Sequence, residues 1–340
     1  MKKLLNTLYV TTDGLYLRLE GECVVAEKEK KLVTRIPLHT LSGIVCMGNI
    51  MCSPHLLGGC AERGIHVSLL SENGRFLARV EGGVSGNVLL RVTQTMTATD
   101  PGKASKIAVG FVLGKLLNAR TVVQRRLRDH GPDELCSRVV SLLAQMIRRL
   151  PGVEDLEQLR GIEGECAKLY FSVFNKLILT DLDTFGISTR NRRPPLDPTN
   201  ALLSFLYTLL AHECEGALEG VGLDPQIGFF HALRPGRPSL ALDLMEEFRA
   251  SVADRVVLSL INRHQISKKD FVCSATGAVS LADDARKTVI QEWQKKKKDV
   301  IVHPFLNEKI ELGLLFHVQA LLLARHLRGD IDAYPPFLLK

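Results

Sequence analysis

Long apolar runs, C-x-x-C pairs, a glycine-rich phosphate loop and abundant aromatics are all missing from this 340-residue chain. No stretch reaches the ~18 uninterrupted apolar residues of a membrane helix. The most apolar one, Leu312 to Ala324, is broken by His317 and Gln319. The opening MKKLLNTLYV is basic, but its apolar part is too short for a leader and no small-residue cleavage site follows. The chain therefore reads as cytoplasmic, with no membrane partner. Its eight cysteines form no C-x-x-C pair, which argues against a zinc knuckle. Most of them sit among apolar residues and read as reduced core thiols. Gly82-Gly83 lacks the strand–loop–helix setting of a phosphate cradle. Aromatics make up 6% of the chain, with one tryptophan, so stacking of bases on many rings is not its main binding device.

What is present is a globular composition, 46% hydrophobic, long enough to bury a sizeable core. Lys and Arg number 44 against 37 Asp and Glu, a net +7 that mildly favours an anionic partner. The excess is split almost evenly. Residues 1–95 carry 11 basic and 8 acidic groups, and residues 96–340 carry 33 and 29, so neither part is a polycation.

The first hundred residues read as strands. LNTLYVTTDGLYLRLEG has two β-branched and aromatic runs around Asp13-Gly14, a short-hairpin signal. ECVVAEKEKKLVTRIPL repeats the pattern around a charged turn at Glu27 to Lys31. LSGIVCMG and IHVSLL suit buried strands, and RFLARVEG adds another. SPHLLGGCAERG suits a short helix begun by Ser53 and stopped by Gly64. At TMTATDPGKASK the pattern breaks, and beyond it apolar residues recur at helical spacing. The expected organisation is α+β: a small N-terminal β-rich domain (1–95), a linker (96–102) and a larger all-α C-terminal domain (103–340).

Three polar spots interrupt the apolar helices. Glu163 lies between Gly161 and Gly164, whose small size leaves room beside its carboxylate; a helix-start carboxylate is the plainer reading. Glu165 points elsewhere and reads as solvated. His231 follows Phe229 and Phe230, where a packed histidine is the plainer reading. Asp243 and Glu246 are three apart and share a helix face, which an acidic outer face would also explain. Carboxylates and one imidazole from separate helices would suit magnesium or manganese better than zinc, although spacing alone does not make them converge.

At these residues the chain resembles the CRISPR-associated adaptation endonuclease/integrase family, the DNA-inserting subunit of spacer acquisition, and is closest in style to the subtype I-C branch. The resemblance covers nearly the whole chain. It rests on IPLHTLSGIVCMG, GIHVSLLSENGRFLARV, KLLNARTVVQRRLR, RGIEGECAKLYF, PLDPTNALLSFLYTLLAHE and GFFHALRPGRPSLALDLMEEFR, in that order. It implies an N-terminal β-domain that forms homodimers and a helical domain that holds a divalent metal, magnesium or manganese. The implied ligands are Glu163, His231 and Glu246, with Asp243 competing for the third place. It implies a heterohexamer with a small ferredoxin-like partner. The implied substrates are protospacer DNA and the CRISPR repeat and leader, joined by attack of a 3′-hydroxyl on a phosphodiester. A catalytically inactive DNA-binding scaffold is the alternative. Arg120, Arg125, Arg126 and Arg128, then Arg190, Arg192 and Arg193, then Arg234 and Arg237 are candidates for phosphate contacts. Tyr170 and Tyr207 read as core residues rather than nucleophiles.

Overall fold

The computed structural model describes residues 7–41, 43–71, 76–80, 88–191 and 193–339. The chain forms two compact units, Met1–Gly86 and Asn87–Lys340. The first is β-rich and the second mostly helical, the α+β organisation expected.

The first unit contains β1 (Thr7–Val10), β2 (Tyr16–Glu20), β3 (Cys23–Lys28), β4 (Lys31–Pro37), β5 (Gly43–Met47), β6 (Met51–Cys52), α1 (Pro54–Glu62), β7 (His66–Leu70) and β8 (Phe76–Val80). These strands make two four-stranded sheets, ordered β1-β5-β7-β8 and β4-β3-β2-β6. β5 is buried along its whole length, between parallel neighbours on both sides, as its unbroken apolar run requires. Leu17, Val24, Ile44, Leu56 and Val67 share the core of this unit. Ser53 caps α1, its Oγ accepting from Leu56 N at 3.2 Å, and Gly64 turns the chain beyond the helix with φ +66°.

The expected hairpin at Asp13-Gly14 does not form. β1 pairs with β5 and β2 with β3 and β6, so the two runs enter different sheets. The turn is held instead by distant residues: Asn49 N donates to Asp13 Oδ1 at 2.9 Å and Gly14 N to Asn49 O at 3.0 Å. The second expected hairpin does form between β3 and β4, turning at Glu29 and Lys30, both with positive φ.

The expected linker at 96–102 is helical. α2 (Val88–Thr99) runs to residue 99 and α3 (Pro101–His130) begins two residues later. Asp100 caps α3, accepting from Lys103 N at 3.1 Å. Pro101 sits in the first turn, where its missing N–H costs nothing. Asp100-Pro101-Gly102 therefore marks a junction between helices, and the unit boundary lies at Gly86 rather than at residue 95.

The second unit continues with α4 (Glu134–Arg149), α5 (Leu156–Ser172), α6 (Leu182–Phe185), α7 (Pro198–Gly220), α8 (Ser239–Met245), α9 (Arg255–Asn262), α10 (Asp283–Lys297) and α11 (Leu312–Leu327). It is not all-α. β9 (Phe271–Cys273) pairs with β10 (Val279–Leu281), and β11 (Val300–Val302) with β12 (Lys309–Glu311). α3 is long and apolar enough to cross a bilayer by length and composition. Here it is a core helix: Phe111, Val112, Leu116 and Val123 are buried, and it packs on α4 and α5.

A buried polar network ties the C-terminal segment to this core. Glu247 accepts from Tyr334 Oη at 2.6 Å, Phe337 N at 2.7 Å and Gln319 Nε2 at 3.0 Å. His303 accepts at Nδ1 from Phe305 and Leu306 N, which leaves Nε2–H to donate to Gln319 Oε1 at 2.9 Å. Burial raises the Glu247 carboxyl to about 8 against the pull of these donors. A native value above the unfolded one means that the folded state holds the extra proton. This contribution to stability is full below about pH 4.5 and is lost as pH rises through about 8. Melting midpoints of the wild type are expected to fall more steeply from about pH 6 to about pH 9 than those of Glu247→Gln. The difference is ~2 °C or more per pH unit, and parallel curves would remove Glu247 as the cause.

Candidate active site

α5 begins at Asp155, whose carboxylate accepts from Glu157 and Gln158 N. Two turns on, it presents Glu163, with 22% of its side chain exposed. A Cβ at Gly161 or Gly164 would meet nothing within 4 Å, so the helix surface there is open. Glu165 is exposed, as expected.

Beyond α8 the chain does not continue as a regular helix. Glu246–Phe248 tightens to a 3₁₀ turn and Arg249–Asp254 widens to a π turn before α9 resumes. Such irregular turns recur at functional sites because they re-aim side chains. Here Asp243, Glu246 and Asp254 all point into the protein, with 0%, 2% and 1% exposure. An acidic outer face is therefore excluded.

Asp243 is not free to ligate. Its carboxylate accepts from the backbone N of Phe229 at 2.7 Å, Phe230 at 2.9 Å and His231 at 2.8 Å. It also accepts from His231 Nδ1 at 2.6 Å. The imidazole proton is thereby held on Nδ1, and Nε2 is turned toward Glu246, 3.9 Å from its Oε1. Asp243 thus stands behind His231 and orients it. The loop is fixed from two further sides. Arg160, one turn before Glu163 on α5, donates from Nη2 to Phe230 O at 2.8 Å. Gln94 on α2 donates to Asp224 O and Ile227 O, both at 2.8 Å. Gly228 is required at its position, since a Cβ would stand 2.7 Å from Asp243 Oδ2 and 2.7 Å from the Ser239 carbonyl carbon.

Glu163 and Glu246 meet at Lys115 of α3. Its ammonium pairs with Glu163 Oε1 and lies 2.7 Å from Glu246 Oε2. Arg249 Nη2 holds Glu246 Oε1 at 3.1 Å. Burial alone would raise the Glu246 carboxyl, but the charges of Arg249, Lys115 and His231 outweigh it and bring it down to about 2. Glu246 is therefore ionised at neutral pH. Among the described residues no three His, Cys, Asp or Glu side chains are close enough to hold a metal ion as they stand. The two carboxylates nevertheless share one cation, and His231 Nε2 lies 3.9 Å from Glu246 Oε1. The donor set of two carboxylates and an imidazole fits magnesium or manganese.

Beside Glu163 and Lys115 opens a cavity of about 560 Å³ that runs to Tyr207, Arg249 and Asp254. Tyr170 and Tyr207 donate to Asp254 at 3.0 and 2.8 Å. Burial, then the Asp254 charge, raises both phenols well above their ordinary value, so neither is poised as a nucleophile. Burial lifts the Asp254 carboxyl to about 6.

The arginines expected to meet phosphate divide into two kinds. Arg190 is turned inward, bonding Asn200 Oδ1 at 2.7 Å and lying over the Tyr207 ring. Arg193 and Arg234 are exposed and Arg237 is half-buried. Arg192 lies outside the described residues. Lys115, Arg160 and Arg249 were missed as site residues; only Arg249, three residues after Glu246, carries a local signal of its partner.

The family model described as CRISPR associated protein Cas1 matches residues 8–295. The CRISPR-associated endonuclease Cas1 1 of Chlorobaculum tepidum is 55% identical over 340 residues, covering 99% of both chains. The CRISPR-associated endonuclease Cas1 2 of Rhodospirillum rubrum is 52% identical over 347 residues, covering 100% of both. In structure, a CAS1 protein from Thermotoga maritima matches with a TM-score of 0.84 at 22% identity, over 97% of this chain and 99% of that one. A casposase bound to integration product matches with a TM-score of 0.83 at 21% identity, over 97% and 93%. At such identities these structures speak for the fold alone.

Gly228→Ala is expected to lower stability by ~1–3 kcal/mol through overpacking against Asp243, read as a lower denaturation midpoint. An unchanged midpoint would show that the His231 loop does not depend on this close approach.

Proposed function

The chain belongs to the CRISPR associated protein Cas1 family, and we propose that it is a metal-dependent DNA endonuclease and integrase of CRISPR adaptation. The observation that carries this reading is the convergence of Glu163 and Glu246 on one cation, Lys115, with His231 Nε2 turned toward Glu246. Glu163, His231 and Glu246 would hold magnesium or manganese. When bound, that ion stabilises charge on phosphate oxygens and activates an attacking hydroxyl or water.

The remaining work falls to the chain's own groups. Asp243 engages His231 Nδ1, which leaves Nε2 as the nitrogen turned toward Glu246. Arg249 and Lys115 keep Glu246 ionised within the core. Lys115 balances the carboxylates and gives way to the incoming ion. The exposed Arg193 and Arg234 meet DNA phosphates, a grip that positions a strand without reading bases.

The resemblance of the quoted segments extends the proposal to the subtype I-C branch, to a homodimer through the N-terminal domain, and to a heterohexamer with a small ferredoxin-like protein. A Cas6-RT-Cas1–Cas2 complex is among the solved structures of similar fold, with a TM-score of 0.82 at 23% identity; it covers 98% of this chain, which matches 36% of that one. Protospacer DNA and the CRISPR repeat and leader are the proposed substrates.

Two experiments test the reading. The protein is mixed with its small partner, a CRISPR array and short duplex DNA, with and without manganese. Joined products are expected only with the ion, and Glu163→Ala is expected to abolish them while DNA affinity stays within ~2-fold, since phosphate contacts lie elsewhere. Joining retained by that variant, or joining lost together with binding, rejects the assigned role. In titration calorimetry, Lys115→Met is expected to bind manganese ~10-fold more tightly than wild type, about 1.4 kcal/mol. Weaker or equal binding would mean that Lys115 does not stand in the ion's place.

A further inference from the structure

Three free cysteines share the core of the first unit. Cys46, near the end of β5, and Cys60, on α1, are buried. Cys52, on β6, packs against the same core and is half-buried. Cys46 and Cys52 are in contact, Sγ to Sγ at 3.9 Å. The two belong to different sheets. β5 is an inner strand of β1-β5-β7-β8, and β6 is the edge of β4-β3-β2-β6, where it pairs with β2. The turn between them is pinned by its backbone. Gly48 N donates to Leu70 O at 3.0 Å, and Met51 N donates to Leu15 O at 3.0 Å. Neither sulfur therefore rides on a loose segment. The ~2 Å that separates this contact from a bonded pair is small against the sweep of a cysteine side chain about χ1.

The pair is asymmetric. Cys52 reaches solvent, and Cys46 is 1% exposed. The Cys46 S–H stabilises a thiolate on Cys52 and lowers that thiol against the effect of its burial. The same contact, then burial, raises Cys46. An accessible sulfur that ionises more readily, set against a buried one that keeps its proton, is the arrangement of an attacking thiol and its resolving partner. Burial raises the third thiol, Cys60, to about 11.

We propose that Cys46 and Cys52 are a peroxide-sensitive dithiol that closes to a disulfide between the two sheets of the first unit. The Cys52 thiolate attacks one oxygen of hydrogen peroxide, the O–O bond breaks, and hydroxide leaves and takes up the proton that Cys52 had released. Cys52 is then a sulfenic acid. Cys46 Sγ attacks that sulfur, the S–O bond breaks, and the hydroxyl departs as water with the Cys46 proton. Two thiols and one peroxide thus give one disulfide and two waters, the sulfurs being oxidised and the peroxide reduced. The bond ties β6 to β5 and so fixes one sheet to the other. The proposal stands apart from the DNA reaction, since it is tested with neither DNA nor metal present.

The test treats the dilute, native full-length chain with hydrogen peroxide and maps it by mass spectrometry without reduction. Pepsin is the protease of choice. No Lys or Arg lies between Arg35 and Arg63, so trypsin would leave all three cysteines in one peptide, and the acid of a peptic digest also suppresses thiol exchange. A link between Cys46 and Cys52 is expected, lighter by two hydrogens and opened again by dithiothreitol. Cys52→Ser, at the half-buried position that spares the core, is expected to lose the link. Cys46→Ser is expected to halt at the sulfenic acid, which dimedone traps on Cys52. No Cys46–Cys52 link in the native chain, a link that forms only in urea, or a link from Cys52 to Cys60 in its place overturns the proposal.

Discussion

A single carboxylate that never meets solvent governs the geometry of the candidate site. Asp243 takes three backbone N–H groups and one imidazole N–H, and so has no capacity left for a metal. A buried carboxylate is costly unless donors saturate it, and here the donors come from one short loop. The loop is thereby folded around the carboxylate, Gly228 is forced by the lack of space for a side chain, and His231 leaves the loop with one nitrogen committed and the other free. The order of dependence runs from Asp243 to the loop, from the loop to His231, and from His231 to Glu246.

The next residues show how neighbours in sequence take opposite roles. Glu246 and Glu247 are both buried and adjacent. Glu246 faces Lys115, Arg249 and His231, which keep it charged. Glu247 faces a tyrosine hydroxyl, an amide and a backbone N–H, which do not offset its burial. The tightened turn at Glu246–Phe248 sends the two carboxylates to different surroundings. One faces the candidate site, and the other fastens the segment around Tyr334 and Phe337 to the core.

Much of the fold was legible from local pattern. Ser53 caps the helix that follows it, and β5 was readable as an unbroken apolar run. The errors share a cause. At Asp13-Gly14 the turn signal was local, but β1 pairs with β5, more than thirty residues away, and β2 with β3 and β6. At Asp100-Pro101 a breaker proved to be a cap, because proline is tolerated in a first helical turn. In the site, Glu163, His231 and Glu246 could be named from the resemblance and not from spacing. Lys115 could not, because nothing within one helix shows that it meets acids 48 and 131 residues further on. The inward aim of Arg190 was equally invisible, since its partners at Asn200 and Ser204 lie on the next helix.

α3 joins all of this without a break for thirty residues. It carries Lys115 into the carboxylate pair and Arg125 into a separate cleft shared with Leu177 and Arg255. A helix of this kind is a ruler as well as a wall. One residue added between those two positions would advance the arginine by ~1.5 Å and swing it by ~100° about the axis, turning it out of its cleft while leaving every other side chain chemically unchanged. The length of this stretch therefore carries as much information as the identity of its residues.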